Sequence, residues 1–140
     1  MTEFTSDVKM IPHSDADVYR VLSDLNKLEL AKNQLPEDKI KDFTFDTDSI
    51  SFRVDLIGNV KFVVVERETN KLIKFKSEGM PFNVSLWIQL VAKEENETAL
   101  RLTVRAELNP FIKGVVEKPM KEAVEKISST LAALPYDELI

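Results

Sequence analysis

The chain has 140 residues and a formal net charge of −5, which suits one domain over 1–140 and disfavours a nucleic-acid partner, because an acidic surface repels phosphate backbones. Apolar residues make up 44% and there is no cysteine; a full core is available, while disulfides, thiolate catalysis and cysteine-ligated metal are excluded. No segment reaches the ~20 continuous apolar residues of a membrane span, and the opening MTEFTSDVKM lacks the regions of a secretory signal, so a cytoplasmic protein is expected.

Phe4 to Ile11 alternates loosely, with Phe4, Val8 and Met10 on one parity. It reads as an edge strand, broken by Pro12. Ser14 with Asp17 three positions on reads as a helix start with a capping pair. Val18, Leu22, Leu25 and Leu28 follow at helical spacing. Asn26 marks a break, which gives two short helices over Asp15–Leu25 and Lys27–Gln34. Pro36 closes the region.

Six alternating segments then run from Ile40 to Leu108, joined by short polar turns. Ile50, Phe52, Val54 and Leu56 share one face, as do Val60, Phe62 and Val64. A two-residue Gly58-Asn59 loop would set Arg53 opposite Val64 and bury charge. A three-residue Ile57–Asn59 loop instead pairs Leu56 with Val60, Val54 with Phe62 and Phe52 with Val64, and sets Asp55 opposite Lys61 outside. Hydrophobic pattern and cross-strand charge favour the second. Phe43 and Phe45 then face Phe52 and Ile50, with Asp42 opposite Arg53 outside, and Phe75 and Ile73 join Val64 and Glu66. Val84, Leu86, Ile88 and Leu90 continue the inner face, followed by Leu100, Leu102, Val104 and Leu108. Lys74, Lys76, Arg101 and Arg105 fall outside. The pattern is an antiparallel meander with one buried and one wet face.

A long amphipathic pattern from Pro110 to Leu134 closes the chain. Phe111, Val115, Met120, Val124 and Ile127 lie on a broad stripe. Gly114 loosens this helix, and Pro119 inside it predicts a kink. Strands followed by one covering helix define an α+β class.

The order of strand, two short helices, six-strand meander and long closing helix resembles the helix-grip fold of the START / Bet v 1 / polyketide cyclase-like (SRPBCC) superfamily. Ile11-Pro12-His13-Ser14 with Val18-Tyr19 and Leu22-Ser23-Asp24-Leu25 is similar to the family's helix entry. Asn109-Pro110-Phe111-Ile112, with Pro119 further on, is similar to its final helix. The resemblance covers the whole chain and implies a cavity for a hydrophobic ligand between sheet and closing helix. Some members are cyclases or hydrolases, but no catalytic residue carries over.

The residues themselves offer little chemistry. His13, the single histidine, reads as a solvated loop residue ahead of a helix cap, so neither a general base nor a zinc site is expected. No cofactor and no metal are expected. Glu66 and Ser77 are the polar residues that the central strands turn inward. Glu66 reaches water at a strand end, and a backbone partner suits Ser77 better than a ligand. The turn at Met80–Asn83, the Ile57–Asn59 loop and the entry to the last helix lie at one end, which makes Ile57, Met80, Pro81, Phe82, Phe111 and Ile112 the mouth of a cavity. The candidate ligand-binding residues are Phe52, Phe62, Phe75, Ser77, Met80, Phe82, Leu86, Phe111, Val115 and Met120. The expected function is non-catalytic binding of a lipid or polyketide-like molecule in a cavity of roughly 300 Å³ or more, the lower end of ligand sites. The alternatives are a cyclase or hydrolase, which needs convergent polar groups inside, and an interaction module with a filled core. Trp87 alternates outward. It either lies over the stems of Lys74 and Lys76 or, with Val63 and Val65, marks a homodimer face.

Overall fold

A computed structural model describes residues 2–30, 40–54, 58–80 and 82–140. The chain opens with strands β1 (Thr2–Thr5) and β2 (Lys9–Ile11) and helices α1 (Asp15–Leu22) and α2 (Leu25–Leu30). The meander follows as β3 (Ile40–Phe45), β4 (Ser49–Val54), β5 (Gly58–Glu68), β6 (Leu72–Glu78), β7 (Val84–Glu94) and β8 (Glu97–Ala106). Helices α3 (Pro110–Ala132) and α4 (Tyr136–Leu139) close it. The strands form one antiparallel sheet in the order β1-β8-β7-β6-β5-β4-β3, with β2 also paired to β8. This is the α+β helix-grip fold.

Local chemistry explains the boundaries. The Ser14 hydroxyl accepts the Asp17 N–H at 3.2 Å and starts α1. The Asn109 side chain accepts the Ile112 N–H at 2.8 Å and starts α3, with Pro110 in the first turn, where its missing N–H costs nothing. Pro119 sits inside α3 without ending it. The break between the short helices lies at Ser23-Asp24, not at Asn26, because the Asp24 carboxylate takes the Asn26 N–H at 3.1 Å and starts α2 one residue after itself. The expected end at Gln34 falls outside the described residues.

The edge strand is corrected into two. Thr5 pairs with Thr103, but Lys9 pairs with Leu100, so one extra residue sits between the two pairings. Ser6 makes the break tolerable, since its hydroxyl accepts the Leu102 N–H at 3.0 Å and donates to the Asp7 carbonyl at 2.9 Å. An odd shift reverses which parity faces in. Phe4 and Ile11 are therefore buried, while Val8 and Met10 are 57% and 46% exposed.

The β4–β5 register is also corrected. Phe52 pairs with Val60, Ile50 with Phe62 and Val54 with Gly58, so the connection is 55–57, outside the described residues. Gly58 has φ +97°, which a side chain would strain. Lys61 stands opposite Ser51 and meets Glu78 on β6 at 3.5 Å. Phe45 does pair with Ile50, but a register shift between Lys41 and Thr44 sets Lys41, not Asp42, opposite Arg53; the Asp42 carboxylate still lies 3.6 Å from the Arg53 guanidinium. A bulge at Val65 keeps Phe75 on Val64 but moves Ile73 opposite Arg67, which turns Glu66 out to solvent.

The core lies between the inner sheet face and the helices. Ile73, Leu100, Leu102, Val18 and Leu22 are fully buried. The sequence reading ended at Leu134 and missed α4, which returns Tyr136 and Leu139 to this core. The Tyr136 hydroxyl donates to the Leu131 carbonyl and its ring lies 5.4 Å from that of His13. His13 is accordingly packed against α4, not a solvated loop residue. Burial pushes the Tyr136 phenol above its usual range, so it stays a donor. A raised value adds stability in full below about pH 10, the unfolded value, and that contribution fades as pH climbs through the folded one. Tyr136→Phe leaves the Leu131 carbonyl without this donor. A loss of about 1–3 kcal/mol is expected in urea unfolding at pH 7, and an unchanged midpoint would show that the bond adds nothing.

One polar cluster ties α3 to the first strands. The Glu125 carboxylate accepts from Lys9 Nζ at 2.9 Å and from the Asp7 N–H at 2.7 Å. Those bonds, Lys9 first, hold its carboxyl below the usual range. A lowered value means that the stabilisation is complete above about pH 4.3, the unfolded value, and disappears as pH falls through the folded one. The side chain is 43% exposed, so screening is strong. Glu125→Gln is expected to cost about 1 kcal/mol or less at pH 7 and nothing in strong acid. A gap between the two proteins that persists in acid would contradict the assignment.

Candidate functional site

The inner face carries two adjoining apolar voids. The first, about 70 Å³, is lined by Phe52 and Val54 of β4, Val60 and Phe62 of β5, Met80, Phe82, Val84 and Leu86, Val104 of β8, and Met120 and Val124 of α3. The second, about 60 Å³, lies further along α3, between Ile50, Phe52, Phe62, Phe75, Leu86, Ile88 and Leu102 of the sheet, Leu25 and Leu28 of α2, and Ile127 and Leu131. Every described residue lining either void is apolar. Phe52, Phe62 and Leu86 belong to both walls. The Phe52 and Phe62 rings stack at 5.9 Å, and Phe43 abuts Phe52 at 5.3 Å.

Of the residues singled out from sequence, Phe52, Phe62, Met80, Phe82, Leu86 and Met120 line the first void and Phe75 the second. Ser77 does not line either: its hydroxyl accepts the Val84 N–H at 2.9 Å, satisfying a backbone group at the start of β7. Phe111 and Val115 are elsewhere, 82% and 49% exposed. At about 100° per residue, nine positions from Val124 put Val115 on the opposite side of α3, and Phe111 falls near it. The broad stripe swept both in. Ile57 and Pro81, expected at the mouth, fall outside the described residues. Sequence reasoning missed Leu25 and Leu28 as walls, because spacing marked them apolar without saying which end of the sheet α2 would close. The expected single space of 300 Å³ is corrected as well. Phenylalanines fill the middle and leave two small voids.

Electrostatics gives the voids no chemistry. No titratable side chain is among their described walls, and the described residues hold no group of acidic or histidine side chains that could bind a metal. Trp87 on the outer face is half-buried, with Lys74 Nζ 5.0 Å and the Arg105 guanidinium carbon 5.4 Å from its ring. Arg105 takes the place that the alternation had given to Lys76. No described helix is long and apolar enough to cross a membrane.

Residues 9–133 match the family model for CoxG, a carbon monoxide dehydrogenase subunit. The chain belongs to the CoxG family. Among curated proteins, no sequence matches this CoxG-family chain. Its fold is similar to solved structures. A START superfamily protein from Mycobacterium smegmatis aligns with a TM-score of 0.72 at 16% identity, covering 99% of both chains. Norcoclaurine synthase from Thalictrum flavum aligns with 0.72 at 11%, covering 94% of this chain and 84% of the synthase. A protein of Thermus thermophilus aligns with 0.67 at 21%, covering 99% of this chain and 97% of its own. At these identities the likeness shows the START-like fold alone.

Proposed function

We propose that this CoxG-family protein binds a small hydrophobic molecule, lipid-like or polyketide-like, between the sheet and α3 without transforming it. The observation that carries the reading is that every described residue lining the two voids is apolar, so a polar or charged ligand group would go unpaired against them. Among the described lining residues there is no general acid, base or nucleophile. Each void is below the ~300 Å³ of ordinary ligand sites, so binding requires side chains to move apart. The architecture allows it. The backbone of α3 lies closest to β8, β1 and β2, which leaves the space over β4–β6 filled by side chains, chiefly Phe52, Phe62 and Phe75. The family's association with carbon monoxide dehydrogenase supports a place beside a larger enzyme. A homodimer through the face near Trp87 has weaker support, since Lys74 and Arg105 already cover the indole.

The test is native mass spectrometry of the protein purified from its own host without organic solvent. The reading predicts a co-purified adduct that solvent releases. Bare protein that also fails to enhance the fluorescence of N-phenylnaphthylamine, an uncharged apolar probe, would contradict it.

A further inference from the structure

The two voids share three walls, have no polar side chain among their described lining residues, and follow one another along α3. Met120 borders the first and Leu131 the second, and a rise of 1.5 Å per residue separates these two positions by about 16 Å. Phe52 and Phe62, whose rings stack 5.9 Å apart, and Leu86 on β7 border both voids. We infer that Phe52, Phe62 and Leu86 form an internal partition that sets the length of apolar chain the protein accepts. The inference rests on the binding function proposed above and adds the ligand's shape. A slender unbranched chain enters beside the half-buried Met80 and Phe82, runs along α3, and leaves its polar end at that mouth, because no described residue of either chamber can satisfy it. Rotation of the two rings joins the chambers, whereas their resting stack stops the chain in the first.

The geometry separates this from simple enlargement of the pocket. Phe62 and Leu86 border both chambers, but Phe75 borders only the second. Displacement of N-phenylnaphthylamine by straight-chain alcohols, from hexanol to tetradecanol, reads the accepted length. In the wild-type protein affinity rises about fourfold per added methylene until the chain meets the partition, then levels off. Phe62→Leu, a conservative change chosen to retain folding, and Leu86→Ala should each carry the rise several methylenes further. Phe75→Leu should leave the plateau at the wild-type length. A plateau that stays put in both partition variants overturns the partition and leaves binding intact, as does an equal shift in Phe75→Leu. Failure of the wild-type protein to bind any alcohol or the probe overturns the binding function, and the partition with it.

Discussion

Adding one methylene at Val104 and one at Val124 is expected to weaken binding of apolar probes at least tenfold without harming the fold. Both side chains border the first void, one from β8 and one from α3. The void is about 70 Å³, so two methylenes occupy most of it. Isoleucine keeps the β-branching that suits the strand and is tolerated in the helix. Each methylene that fills empty apolar space gains up to about 0.8 kcal/mol, offset by any strain of fit. Val104→Ile with Val124→Ile should therefore match or slightly exceed the wild-type stability, while N-phenylnaphthylamine affinity falls tenfold or more. Titration of the fluorophore with urea unfolding of the same preparation separates the two effects. Undiminished probe affinity in the stable double variant would place the binding site elsewhere.

The largest stability effect is expected at Leu102. It lies on β8 opposite Ile88, is fully buried, and forms part of the wall of the second void. Leu102→Ala removes packed methylenes next to space that cannot collapse, because the strands on either side hold their register. A loss of about 2–5 kcal/mol is expected. Val91→Ala on the neighbouring strand, where the side chain is 56% exposed, should change stability by no more than about 0.5 kcal/mol. Equal losses in the two variants would contradict the observed facing of β7 and β8.

These contrasts also mark what the sequence could reveal. Strand parity survived a register error. Phe62 was expected opposite Val54 and pairs with Ile50, a displacement of four residues, and an even displacement leaves every side chain on its own face. The walls built by Phe52, Phe62, Phe75 and Leu86 were therefore legible. Parity failed where the shift was odd. At Ser6 a side-chain hydroxyl replaces a backbone partner, and no alternation signals that. On α3 the apolar stripe was too broad to choose a side, so Phe111 and Val115 were assigned inward although helical rotation from Val124 sends them out. Tyr136 was invisible as a core residue because the helical pattern ends at Leu134, while its burial depends on a turn that α4 completes. Void size lies beyond pattern altogether. It depends on how the rings of Phe52, Phe62, Phe75 and Phe82 are turned beside the voids, and rotamers leave no periodic trace.

The claim that an apolar ligand sits between sheet and α3 is tested most directly by the contacts of a bound probe. With the protein isotope-labelled at its methyl groups and N-phenylnaphthylamine unlabelled, nuclear Overhauser effects from probe to protein report which methyls it touches. The account predicts cross-peaks to Val60, Leu86, Val104 and Val124, all of which line the first void. Cross-peaks confined to the exposed Val8, Val65 and Val91 would mean that the probe rests on the surface, and the cavity account would be wrong.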